Sequence, residues 1–293
     1  ALMDWLLQQV EDQQVDAVLI AGDIFDTTTP PSYARTLYYR LIAELHRLNV
    51  ALLVLGGNHD SVSVLGESQP LLHHLNATVI AATHADAAQH VVTLPTRGGQ
   101  AGCIVCALPF IRARDVQRSS AGQSAQDKQR DLQAAIQDIY AQVFAAAQAL
   151  QASHASAHGV RLPIIATGHL TTVGASSNES VREIYVGTLE AFPTNAFPAA
   201  DYIALGHIHK PQKVGGLEHI RYSGSPIALG FDEARQTKEV LLVELNENGL
   251  QSVTALSTPV CQVLAAVNGS FANLPAAFQQ PAVQCSPEHP VWL

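Results

Sequence analysis

The chain is poor in cysteine and in charge, and each shortage excludes something. Four cysteines in 293 residues are too few to staple a fold of this length, so a disulfide framework is excluded. Cys103 and Cys106 have the spacing of a thiolate pair, but they sit in an apolar, strand-like run without a second pair at zinc-site distance. The expectation there is two small core side chains. Charged residues make up 14 % of the chain against 47 % hydrophobic, which rules out a self-repelling disordered chain and points to a thick core. A net charge of −9 excludes a broad basic face for gripping nucleic acid, though not a small cationic site, because bound divalent metals reverse the sign locally. No apolar run approaches the ~18 residues of a membrane helix, and no signal peptide opens the sequence. The prediction is a cytoplasmic protein without membrane contact.

What is present is an alternation. Residues 2–14 carry Leu2, Leu6 and Val10 at helical spacing, and a strand-like run over 15–20 follows. Pro30 and Pro31 mark the start of a helix over 32–48, which leads into the apolar run 51–55. Residues 63–75 again read as a helix, and 78–110 hold several short strand patterns. From 121 to about 157, Leu132, Ile136, Ile139, Val143 and Phe144 recur at helical spacing, and His158-Gly159 closes that helix. Apolar strands at 162–167 and 202–205 come next. Strands and turns over 219–256 then predict a second, antiparallel sheet packed on the first. Continuous apolar strands separated by helices mean a sheet buried on both faces, hence an α/β fold. The prolines beyond Pro259 (Pro275, Pro281, Pro287, Pro290) divide the chain into a large domain, 1–258, and the beginning of a second, 259–293. Ala1 falls inside a helical pattern and Pro290 to Leu293 reads as the opening of a strand, so both ends are expected to be cut.

Four of the apolar strands end alike, with a glycine and then a potential metal ligand. They close on Gly22-Asp23, Gly57-Asn58-His59-Asp60, Gly168-His169 and Gly206-His207-Ile208-His209. In open α/β sheets, functional groups gather beyond the carboxyl ends of the strands. A glycine before each ligand permits the tight exit and close backbone approach that converging side chains require. One histidine after a strand is commonly structural; four such endings in one chain ask for a shared purpose. The set of one carboxylate, one amide oxygen and three imidazoles suits Mn²⁺, Fe²⁺ or Zn²⁺ better than a thiolate zinc site. Two such ions roughly 3.5–4 Å apart serve phosphoester hydrolysis, and one carboxylate can bridge them.

In order and context, these motifs resemble the calcineurin-like metallophosphoesterase superfamily. The resemblance implies a four-layer α/β/β/α sandwich with mixed sheets, followed by the start of a C-terminal capping domain. It makes Asp23 the bridging ligand, places Asn58, His169 and His207 on one metal, and gives His209 to the other. His59 would approach the phosphate as a catalytic group without ligating. Asp60 would orient His59 or serve the turn, and Asp26 would be structural. The superfamily opens with a strand ending in Asp-x-His. That motif is expected to precede Ala1, so that this fragment binds one metal or is inactive while the intact protein binds two divalent metal ions, Mn²⁺ foremost.

Within the superfamily the likeness is to SbcD-type nuclease subunits. It runs to about Pro259 and includes the segments 22–27, 109–115, 167–175, 184–188 and 222–226. It implies a metal-dependent DNA nuclease of repair and recombination, exonucleolytic on duplex ends and endonucleolytic on hairpins and single strands. An SbcC-type coiled-coil ATPase would be the partner, and a homodimer within a heterotetramer the assembly, with residues 63–75 the candidate dimer helix. Two alternatives stay open: a phosphatase or small-molecule phosphodiesterase on the same fold, and a non-catalytic scaffold, which the intact ligand set disfavours. Arg112, Arg114, Arg118, Lys128 and Arg130 form a local basic cluster that fits either DNA phosphates or a solvated face. Tyr222-Ser223-Gly224-Ser225 reads as a tight turn.

Overall fold

The computed structural model of the chain describes residues 1–116, 123–176, 191–266, 270, 272–273, 276 and 291–292. Helix α1 (Leu2–Asp12) precedes β1 (Ala17–Ile20), and α2 (Ser32–Arg47) precedes β2 (Ala51–Leu55). Two short helices, α3 (Val62–Gly66) and α4 (Gln69–His73), lead to β3 (Ala77–Ile80). Periodicity predicts one helix there, but Ser61 caps α3 by accepting the Val64 amide and Pro70 opens a new first turn. The three strands pair in parallel in chain order.

A six-stranded sheet follows, formed by β4 (Val91–Pro95), β5 (Ala101–Cys106), β6 (Ile164–His169), β7 (Tyr202–Gly206), β8 (Gln212–Val214) and β9 (Leu217–Tyr222). Its order is β4-β5-β6-β7-β9-β8, parallel through the middle and antiparallel at both edges. Between β5 and β6 run α5 (Ala113–Val116) and α6 (Ala125–His158), the latter closed by Gly159 at φ 72°. The antiparallel sheet expected over 219–256 divides in two. β9 joins the six-stranded sheet beside β7, and β10 (Glu239–Asn246) pairs with β11 (Gly249–Ser257) as a separate hairpin. Beyond it, β12 (Val263–Leu264) pairs with β13 (Val291–Trp292). Pro275, Pro281, Pro287, Pro290, Arg118, Cys285, His289 and the segment 184–188 lie outside the described residues.

Strand alternation sorts the side chains into three apolar layers. Leu52, Val54 and Val79 face α1–α4, meeting Val10, Ile42, Leu45, Leu65 and Leu72. Leu53 and Leu55 point the other way, onto Val105, Ile165 and Tyr202 of the second sheet, and Val243 and Leu250 of the β10–β11 hairpin pack against the same cluster. The far face of the second sheet, through Ile104, Ile164 and Ile203, rests on Leu132, Ile136 and Val143 of α6. The result is the predicted four-layer α/β/β/α sandwich. Cys103 and Cys106 fall in different layers of β5, and burial pushes both thiols up to about 12. No helix among the described residues is long and apolar enough to cross a membrane.

Candidate metal centre

The carboxyl ends of β1, β2, β6 and β7 converge, and two glycines show how closely. A Cβ on Gly206 would run into the Ala21 carbonyl, and one on Gly57 into the carboxylate and backbone nitrogen of Asp23. Asp23 (φ 53°) and His207 (φ 92°) themselves occupy the left-handed region. Such strain persists only where the surroundings over-determine it, and it clusters at functional sites.

Among the described residues, Asp23, His169 and His207 form the one group of carboxylate, imidazole or thiol side chains able to share an ion, with ligand atoms all within 4.8 Å of one another. Asn58 closes the cage: its Oδ1 lies 2.8 Å from His169 Nε2 and 3.2 Å from His207 Nδ1. The tautomer of His169 follows from its partners. Nδ1 is 2.8 Å from the Ala21 carbonyl, which can only accept, so Nδ1 carries a proton. Nε2 then faces two oxygens, Asn58 Oδ1 and Asp23 Oδ2 at 3.2 Å. Two acceptors against one ring nitrogen need positive charge there, either a second proton or a cation. His207 Nε2 is buried and lacks a hydrogen-bond partner. A cage of two oxygen and two imidazole donors, with an orphaned nitrogen in one ring, fits a borderline divalent metal.

Burial raises the Asp23 carboxyl, but the His169 hydrogen bond and charge, with the His59 amide, overcome it and bring it down to about 2. Burial opposes charge on His169, and its hydrogen bond to Asp23 and that carboxylate's charge outweigh it, so this pKa is raised. Burial depresses His207 to about 3, with the charge of His169 adding to the effect. A depressed histidine pKa means that the unfolded chain takes up a proton which the folded one refuses. The contribution of His207 is therefore full above about 6.5 and lost progressively as the pH falls toward about 3. His169, shifted upward, already contributes fully below 6.5 and does not mask this slope. The midpoint of thermal unfolding of metal-free protein should fall between pH 6.5 and 4, and His207→Asn should flatten that fall. Parallel curves would mean that His207 is not held neutral.

The second set of predicted residues is arranged differently. The amide of His59 donates to Asp23 Oδ1 at 3.0 Å, and its ring Nδ1 donates to the main-chain oxygen of Asp26 at 2.8 Å. The hydrogen bond expected from Asp60 to His59 is not formed. The buried Asp60 carboxylate instead accepts the amides of Gly57, Ile24 and Phe25 at 2.8–3.1 Å, tying the β1 and β2 loops together. This is the turn role, and Asp26 takes over the orienting one. Burial pushes the Asp60 carboxyl up, against the pull of those amides. His209 stands outside the Asp23 group and donates Nδ1–H to Glu233 Oε1 at 2.8 Å.

Of the basic cluster, Arg112 reaches the site: Nη2 donates to the Asp60 carbonyl at 3.3 Å, and the guanidinium lies 5.5 Å from the Phe110 ring. Phe110 meets His169 edge-on at 6.2 Å. Arg114 and Arg130 are engaged by Asp115, Asp127 and Asp131. Sequence reasoning missed Glu233 and Lys238, which carry no motif of their own, and gave Phe110 no role beyond its place in the segment 109–115.

Residues 1–211, which contain every predicted ligand, match the family described as calcineurin-like phosphoesterase. The chain belongs to that family. Its relatives include SbcD proteins, named for their place in the nuclease SbcCD. That of Escherichia coli K12 is 50 % identical over 294 residues, spanning all of this chain and 70 % of the relative. Those of Rhodobacter capsulatus and Bacillus subtilis 168 are 33 % and 30 % identical, spanning 85 % and 83 % of this chain and 61 % and 59 % of their own lengths. Within the family, the likeness is thus to SbcD-type subunits.

Proposed function

We propose that the chain is the nuclease subunit of an SbcCD-type complex, hydrolysing DNA phosphodiesters with two divalent metal ions, Mn²⁺ foremost. The observation that carries this reading is the cage of Asp23, Asn58, His169 and His207, with His59 joined to it through its amide on Asp23 Oδ1. In this reading Asp23, Asn58, His169 and His207 would hold one ion, and His209 would hold the other, with Asp23 common to both. Bound ions supply Lewis-acid polarisation of the phosphoryl group and a water activated at neutral pH. The protein's own part is orientation and proton handling. The Asp26 main-chain oxygen engages Nδ1–H of His59, so a second ring proton on Nε2 would be the one that stabilises charge on the phosphate or passes to the leaving oxygen. Asp60 holds the loop that carries Asn58 and His59, and Arg112 donates to the Asp60 carbonyl.

The activities proposed are exonucleolytic attack on duplex ends and endonucleolytic attack on hairpins and single strands, in repair and recombination. The chain would act beside an SbcC-type ATPase as a homodimer within a heterotetramer in the cytoplasm. Tyr33 and Leu37 on α2, with Val62 and Leu71 on α3 and α4, are exposed apolar side chains that support a dimer surface. The expected result is that full-length protein with Mn²⁺ degrades duplex ends and opens hairpins, and that chelation abolishes both. Turnover of cyclic nucleotides or phosphomonoesters alone would replace the nuclease reading with a small-molecule phosphoesterase.

A further inference from the structure

Outside the cage, a buried and hydrogen-bonded charged cluster is built on two side chains that no motif covers. Glu233 is fully buried and Lys238 is 7 % exposed. Glu233 Oε2 lies 2.7 Å from Lys238 Nζ and accepts the Leu229 amide at 3.1 Å, while Oε1 receives Nδ1 of His209 at 2.8 Å. Lys238 Nζ donates in turn to the main-chain oxygen of His209 and to Ser225 Oγ, each at 2.9 Å. The pair therefore grips His209 at both ends, ring and carbonyl.

Burying two charges costs several kcal/mol per ion, and a pair of this kind often adds no net stability over apolar side chains of similar volume. Stability alone therefore gives little reason for Glu233 and Lys238 to be there. Their geometry supplies another. A carboxylate facing an ammonium only accepts, so His209 must carry its proton on Nδ1. In the neutral ring Nε2 is then the nitrogen with the lone pair, and no hydrogen bond to it is formed among the described residues. Orienting a ligating imidazole through its second nitrogen is how a carboxylate outside the ligand set tunes a metal site.

We infer that Glu233 is a positioning residue that fixes the tautomer and ring angle of His209 for cation binding, with Lys238 supplying the compensating charge. The inference rests on the proposed role of His209 as a ligand. Lys238 directly precedes β10, and its carbonyl accepts the Thr258 amide at 2.9 Å just beyond β11. The grip on His209 is thus anchored at the base of the hairpin, 29 positions along the chain from the histidine it holds.

The test uses full-length protein, Mn²⁺ titration followed by electron paramagnetic resonance, and nitrogen-15 shifts of the histidine rings in the metal-free state. Wild type should show His209 protonated at Nδ1. E233M/K238M, which removes both charges together, should stay folded, lose that tautomer preference and weaken the His209-dependent Mn²⁺ by about 10–100-fold. E233Q/K238M restores an acceptor oxygen and should recover much of the loss. If the double methionine variant does not fold, E233L/K238L takes its place in the same comparison. Unchanged Mn²⁺ affinity and an unchanged His209 tautomer in a folded E233M/K238M protein would overturn the inference and leave the proposed function standing. Wild-type protein whose Mn²⁺ binding ignores His209→Ala would instead remove His209 from the metal site, and this inference with it.

Discussion

Replacing His59 by alanine should cost roughly 10²–10⁴-fold in DNA cleavage, the range for loss of a positioned proton donor or charge stabiliser. Mn²⁺ affinity should stay within a few-fold of wild type. The separation is physical. The cage side chains are Asp23, Asn58, His169 and His207, and His59 touches them through its backbone amide, which alanine keeps. Its ring is held by the main-chain oxygen of Asp26, whose own carboxylate is 90 % exposed and 3.5 Å away. Asp26→Ala should therefore leave the rate nearly unchanged, since the carbonyl survives the substitution. Asp60→Ala should do far more harm, because three amides lose their acceptor in the interior. Calorimetric titration with Mn²⁺ beside single-turnover cleavage separates these outcomes. If His59→Ala loses metal together with activity, the ring is a ligand and the assignment is wrong.

The parts of the site that were legible in the sequence are those written in consecutive residues. A run such as 51–55 announces a strand buried on both faces, and the glycine and ligand after it follow from what a crowded strand end needs. Four such endings define the cage without any knowledge of tertiary structure. What could not be read depends on long-range pairing. Glu233 meets His209 across 24 positions, from a short 3₁₀ turn in a stretch that reads as loops and strands. Likewise β9 looks like a neighbour of β10, yet it pairs with β7, because membership of a sheet is decided by which edge is open when the layers close. The role of Asp60 was open for a similar reason. A carboxylate next to a histidine can point at it or at the backbone, and only the position of the β1 loop, 36 residues away, decides.

The closeness of the strand ends makes a glycine the most sensitive residue in the region. Gly206→Ala would add a methyl group against the Ala21 carbonyl carbon at 2.8 Å and His169 Nδ1 at 2.9 Å, with the carbonyl oxygen nearer still. Neither neighbour can give way cheaply. The Ala21 carbonyl accepts the Nδ1 proton of His169 and belongs to the turn that presents Asp23; His169 is itself 1 % exposed. Overpacking of a rigid site costs about 1–3 kcal/mol, and for a domain of this size each 1 kcal/mol lowers the unfolding midpoint by roughly 2–4 °C. The loss of metal should exceed what that destabilisation predicts, since the substitution pushes on a proposed ligand, His169, and on the carbonyl that sets its tautomer. Gly66→Ala is the matched control: it lies in α3 with nothing within 4 Å of the added atom, and it should be neutral or slightly stabilising. Differential scanning fluorimetry with and without Mn²⁺ measures both quantities. A Gly206→Ala protein with the wild-type midpoint and wild-type Mn²⁺ response would mean that β1 and β7 do not press their ends together, and the geometry on which every ligand assignment depends would fail.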